Sequence, residues 1–148
     1  MKKSHPDVVI HTDGAHSSKT GIGGFAAVME SHGSWQVVYG KETDTTNNRM
    51  EMIAALSALE CLPAPCVVQL ISDSKNVVDG IKHWLPNWQR NNWRKANGQP
   101  VSNRDLWDRM VTQLDKHTIQ PVLVKGHNGD PGNELADWYA SRAAGTRK

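Results

Sequence analysis

Thr45–Ser74 reads TTNNRMEMIAALSALECLPAPCVVQLISDS, and inside it the hydrophobic pattern changes from helical to extended. Met52, Leu56 and Leu59 recur at helical spacing, with Ile53 and alanines beside them. That spacing predicts a helix over Asn47–Leu62, ended by Pro63. Cys66–Ser72 (CVVQLIS) is then a short apolar run, which reads as a buried strand.

On the N-terminal side, Asp7–Asp13 (DVVIHTD) is β-branched and alternating. Gly21–Glu30 and Trp35–Lys41 follow across short, turn-rich gaps, so these three strands are expected to pair as antiparallel hairpins. On the C-terminal side, Ser74–His83 reads as a short helix and Trp84–Pro100 as a polar, aromatic, irregular stretch, either a helix with a protruding loop or a loop alone. Leu106, Met110 and Leu114 mark another helix, with Ser102 or Asn103 as its cap. Ile119–Lys125 is a last strand, Gly126–Gly132 a glycine- and proline-punctuated loop, and Asn133–Ala144 a last helix. Hairpins first, then alternating helices and strands, predict an α/β fold with a mixed sheet covered by helices.

Composition narrows the class. The 148 residues suit one domain, 1–148, large enough to bury a core without disulfides. No apolar run approaches the length of a membrane helix. The opening MKKSHPDVV has no apolar stretch before Pro6, so no secretory leader is expected and a cytoplasmic location is. Cys61 and Cys66 are the only cysteines, and nothing completes a four-ligand zinc site around them. Net charge is only +2, but Gly80–Arg104 contains no acid. It carries Lys82, His83, Arg90, Arg94, Lys95 and Arg104 together with Trp84, Trp88 and Trp93. That is a local electrostatic footprint for a nucleic acid.

Four acids stand at element ends. Asp13 closes the first strand, where the bland reading is a turn acid with Gly14 supplying the turn. Glu51 lies early in a helix, where Asn48 and Glu51 fit a capping box. Asp73 follows a buried strand, where an N-cap is the bland reading, although carboxyl ends of such strands also collect catalytic groups. Asp137 lies in the last helix, where an acid suits the dipole. Each is unremarkable alone. Brought together, they would repel one another unless cations offset them. Two Mg²⁺ ions, which prefer oxygen ligands, fit such a set for phosphoryl displacement. His127, in a glycine-flanked loop, is either a surface histidine or a proton shuttle beside that site.

The segments IHTDG (Ile10–Gly14), TTNNRMEMIAALSALE (Thr45–Glu60), SDS (Ser72–Ser74), GIKHWLPNW (Gly80–Trp88), DLWDRM (Asp105–Met110) and VKGHNGDPGNELAD (Val124–Asp137) resemble type 1 ribonuclease H, the bacterial ribonuclease HI kind, in order and spacing. The resemblance implies a ribonuclease H-like fold with a five-stranded mixed sheet and helices on both faces. It implies endonucleolytic hydrolysis of the RNA strand of RNA–DNA hybrids, leaving 5′-phosphate and 3′-hydroxyl ends. It makes Asp13, Glu51, Asp73 and Asp137 the metal ligands for two Mg²⁺, with Mn²⁺ as a substitute, and His127 the proton carrier. Thr46, Asn47 and Asn48 would lie along the hybrid, and the basic stretch around 80–104 would be a handle on the DNA strand. Trp84, Trp88, Arg90, Arg94, Lys95 and Trp107 are then nucleic-acid contacts, with core packing the alternative for the tryptophans. A monomer with no obligate protein partner and no membrane is expected. The alternative function is a hybrid-binding module without catalysis.

Two departures from the family pattern stand out. The loop after TDG is AHSSKTGIGG, with Lys19 where the family has an asparagine that contacts RNA, so a phosphate contact could replace a 2′-hydroxyl contact. The handle carries Gln89, Asn91, Asn97 and Gln99 at positions often charged or turn-forming, which predicts weaker, still salt-sensitive binding.

Overall fold

Chain reversal comes early and is tight. In the computed structural model, which describes residues 6–95, 97–125 and 130–146, β1 (Val8–His16), β2 (Gly23–Ser31) and β3 (Ser34–Glu42) form two antiparallel pairs. His32 and Gly33, with φ of 51° and 81°, make the two-residue turn between β2 and β3. Both central residues take the left-handed conformation that matches strand twist. The chain then crosses over through α1 (Asn47–Cys61) into β4 (Val67–Ser72), and later returns as β5 (Thr118–Leu123). β4 pairs parallel with β1 and β5 parallel with β4. The order is β3-β2-β1-β4-β5, the mixed five-stranded sheet expected.

Between β4 and β5 run α2 (Lys75–Asp79), a π-helical segment (Gly80–Trp84), α3 (Leu85–Arg90) and α4 (Arg104–Lys116). The last element is α5 (Pro131–Ala144). Two close approaches locate α1 and α5. A Cβ on Gly14 would stand 2.8 Å from the Glu51 amide nitrogen of α1. A Cβ on Gly132 of α5 would stand 2.3 Å from the His11 ring. Positions 11 and 14 of one strand have opposite parity, so α1 and α5 cover opposite faces of the sheet. On the α1 side, Ile10, Met50, Met52, Leu56, Leu59, Leu70, Leu106 and Met110 are fully buried. α1 is buried nearly all round, between sheet and α4, which explains a sequence too apolar for one clean stripe.

Several boundaries differ from the sequence reading. β1 runs on to His16, so Asp13 does not end it. Gly14 makes no turn: it is the mid-strand position where α1 comes closest. The helix expected over Ser74–His83 widens into a π turn and continues to Arg90, because Gly80 lies against the Trp107 ring, where a Cβ would be 2.2 Å from it. α5 begins at Pro131, not Asn133: Asp130 caps it, accepting from the amides of Gly132 (2.9 Å) and Asn133 (3.2 Å). Asn103 precedes α4 in the left-handed conformation, but its side chain accepts from Arg49 rather than capping the helix.

Candidate active site

The pairing of β1 with its two neighbours ends at different places. It pairs with β4 only from Val8 to His11, but with β2 as far as His16. Asp13 therefore lies two residues beyond the last parallel pair, next to the carboxyl end of β4, where Asp73 follows Ser72. In a parallel pair this edge is where ligands collect. Asp13 is buried, and its Oδ1 accepts the Gly14 amide at 2.9 Å.

Glu51 reaches the same point from the opposite direction. The expected capping box does not form, because Thr46 is the N-cap and its Oγ1 accepts the Arg49 amide at 3.1 Å. Glu51 is then a second-turn residue, buried on the sheet side, and its Oε1 is enclosed with no hydrogen-bond partner among the described residues. Asp73 is likewise not needed as a cap, since Ser74 Oγ accepts the Val77 amide at 3.3 Å. Asp73 is exposed, and Asp13, Glu51 and Asp73 each present an oxygen such that all lie within 4.8 Å of one another. Asp137 comes from α5, half-buried, with Ser141 Oγ donating to its Oδ1 at 3.3 Å. It shares a hydrogen bond with Asp13 and adds its charge there.

The electrostatics follow from this crowding. Burial raises the Asp13 carboxyl to about 7, with the Asp73 and Asp137 charges adding to the effect. Burial raises Glu51 to about 9, with Asp13 and Asp73 adding to it. So many like charges do not ionise together at neutral pH without a counter-charge. An all-oxygen donor set with an unsatisfied buried oxygen fits hard divalent cations such as Mg²⁺ and does not fit a thiolate or imidazole metal. His127 falls outside the described residues.

Beside this cluster lies a cavity of about 790 Å³. It brings together Asn48, Trp84, Trp88, Arg90, Arg94, Lys95 and Trp107 of the expected contacts. It also gathers Asn76, Asn87, Asn91 and Ser102, which no periodicity could have singled out, because scattered carboxamides look like ordinary surface. Trp107 is buried and stacks edge-on with Trp88 at 5.4 Å, and Trp88 with Trp84 at 5.9 Å. The packing alternative therefore holds for Trp107, while Trp84 keeps an exposed face. Several cations there already have partners inside the chain. The Arg104 guanidinium lies 4.6 Å from the Trp93 ring centroid, Arg94 donates to the Gly98 carbonyl, and Arg90 donates to Asn87. Thr46, Asn47 and Lys19 do not line this cavity: the first two stand exposed at the start of α1 and Lys19 in the β1–β2 turn.

A sequence model described as RNase H matches residues 5–145. The chain belongs to the ribonuclease H family. It is 47% identical to a "Ribonuclease HI" of Pseudomonas aeruginosa over 135 residues, 91% of either chain. It is 46% identical to a "Ribonuclease H" of Rickettsia bellii over 140 residues, 95% of this chain and 90% of that one. Among solved structures, LC9-RNase H1, described as a type 1 RNase H with the type 2 active-site motif, superposes with a TM-score of 0.82. It is 26% identical, and the match covers all of this chain and 76% of that one. The PFV RNase H domain superposes with a TM-score of 0.79 at 25% identity, over 95% of this chain and 96% of that one. Membership in this family makes the chain an enzyme, a hydrolase of nucleic acid. No helix among the described residues is long and apolar enough to cross a membrane.

Proposed function

We propose that the chain is an endonuclease that hydrolyses the RNA strand of RNA–DNA hybrids, leaving 5′-phosphate and 3′-hydroxyl ends. The observation that carries this reading is the convergence of Asp13, Glu51 and Asp73 at the carboxyl end of β4, where β1 runs on past its parallel pairing, beside the tryptophan- and cation-lined cavity. Asp13, Glu51, Asp73 and Asp137 would hold two divalent cations, Mg²⁺ or in its place Mn²⁺, which when bound supply Lewis acidity and an activated water at the scissile phosphate. The residues of the chain do the rest. Glu51, buried and rigidly carried by α1, fixes where positive charge can sit. Asn48, on the cavity wall and one turn before Glu51 on α1, would meet the minor groove of the hybrid. Arg90, Lys95 and the exposed face of Trp84 grip the DNA strand through phosphate and stacking. His127 moves the proton that leaves or joins the reacting oxygens. Contacts to backbone and sugar give little sequence preference.

The test is a labelled RNA–DNA hybrid incubated with Mg²⁺ or with EDTA, beside single-stranded RNA and both pure duplexes. Metal-dependent cutting of the hybrid's RNA strand alone is the expected result. Binding without cutting would replace this reading with the non-catalytic hybrid-binding module, and cutting of duplex DNA would refute the substrate assignment.

A further inference from the structure

Asp137 must be held over Asp13, and it is carried by α5, which lies close against the sheet at Gly132 and at Gly24. Facing the first turn of that helix is a buried histidine of the IHTDG segment. His11 lies on β1 two residues before Asp13 and is almost fully enclosed. Its Nδ1–H donates to Asn133 Oδ1 at 3.1 Å. Its ring occupies the space that Gly132 leaves by having no side chain. Glu30 of β2 faces its other nitrogen at 3.8 Å, and the capping Asp130 stands 3.6 Å from Nδ1.

The spacing makes this contact a register mark. Two residues along a strand advance about 6.7 Å. Four residues along a helix advance about 6 Å. From His11 to Asp13 is two strand residues, and from Asn133 to Asp137 is four helix residues on one face. The two rises nearly match, and both elements run the same way: farther along, β2's Gly24, paired with Ala15 of β1, lies against Ala140 and Ala144. Seating Asn133 on His11 therefore seats Asp137 on Asp13. We infer that His11 is a positioning residue for catalysis, which sets α5 against β1 through Asn133 and so fixes Asp137 at the carboxylate cluster.

This rests on the reading that Asp137 completes the catalytic site, so the test carries its own control. The substitution His11→Leu keeps apolar bulk in the pocket and removes the donor. His11→Asn keeps an amide N–H near where Nδ1–H stands. Steady-state cleavage of a labelled hybrid at saturating Mg²⁺ should show kcat lowered about tenfold in His11→Leu, with KM within about twofold, as expected for displacement of a reacting group by a fraction of an ångström. His11→Asn should recover most of that loss. In an Asp137→Asn background, His11→Leu should lower kcat no further, because its effect passes through Asp137. The inference is overturned if His11→Leu melts lower yet keeps wild-type kcat, or if it costs the same factor in both backgrounds. A wild-type protein that does not cut the hybrid would fail the functional reading instead, and an active wild type indifferent to Asp137→Asn would fail only the role of Asp137.

Discussion

At the carboxyl end of β4, beside Asp13 of β1, three acids crowd into 4.8 Å, two of them buried on regular strand and helix. Along Trp84–Arg104 the charges are cationic and spread over an open surface, from the end of α3 to the start of α4, and between these helices Asn92 and Trp93 both adopt positive φ, 57° and 60°. The cluster is rigid and electrostatically unbalanced, while the handle is less regular and partly neutralised by its own contacts. A rigid, unbalanced group can be completed only by something small and positive. An open, partly satisfied surface suits a long polyanion whose phosphates exchange with existing partners.

The sharpest way to break this contrast is Asp13→Asn. Turnover on the hybrid should fall about 10³-fold or more, as for loss of one member of a catalytic unit. The melting temperature should hold or rise, because a buried like charge has been removed. A large loss of thermal stability would mean that Asp13 is structural.

Next comes the pH dependence of the metal-free protein. Asp13 and Glu51 are raised to about 7 and about 9, while the unfolded chain titrates its carboxyls near pH 4. Between those values these two groups bind more protons in the folded state than in the unfolded state, so their contribution to stability is full below about pH 4 and is lost as pH rises through 7 and toward 9. Thermal melts in EDTA from pH 5 to pH 9 should show that decline, and Mg²⁺ should flatten it. Equal slopes with and without Mg²⁺ would separate the cluster from metal binding.

On the handle side, Gly80→Ala forces a methyl into the Trp107 ring, 2.2 Å away. Urea unfolding should show a loss of about 1–3 kcal/mol, the range for overpacking. An unchanged midpoint would mean that the π turn yields freely and the handle's base is soft. The smallest effect belongs to Lys95→Ala, at the rim of the cavity. Hybrid binding should weaken a few-fold, with kcat unchanged and the logarithmic salt slope smaller by about one. An unchanged slope would place Lys95 off the phosphate track.

The same two regions differ in how far they could be read from residues alone. The strands, α1, α4 and the mixed sheet follow from period and punctuation, since strand alternation and helical spacing are local properties. The four acids were legible as a set through motif spacing. Their bland readings could be dismissed only once Thr46 and Ser74, rather than the acids beside them, proved to cap the helices. The places of Asn76 and Asn87 in the handle cavity, and which of the tryptophans is buried, were not legible, because a loop's fold depends on contacts distant in sequence, such as Gly80 against Trp107.

Order and type of the elements, the acid-free basic stretch and the identity of the four carboxylates are written along the chain, because hydrophobic period and charge are carried residue by residue. Which side chains meet depends on strand register and helix seating. Asp13 stands beside Asp73 because the parallel pairing stops at His11, and Glu51 reaches them because Gly14 lets α1 approach. With Asn133 on a buried His11, Asp137 comes to Asp13 because two residues of strand and four of helix advance by nearly the same distance. Those are relations between segments up to 122 residues apart, and no local pattern encodes them.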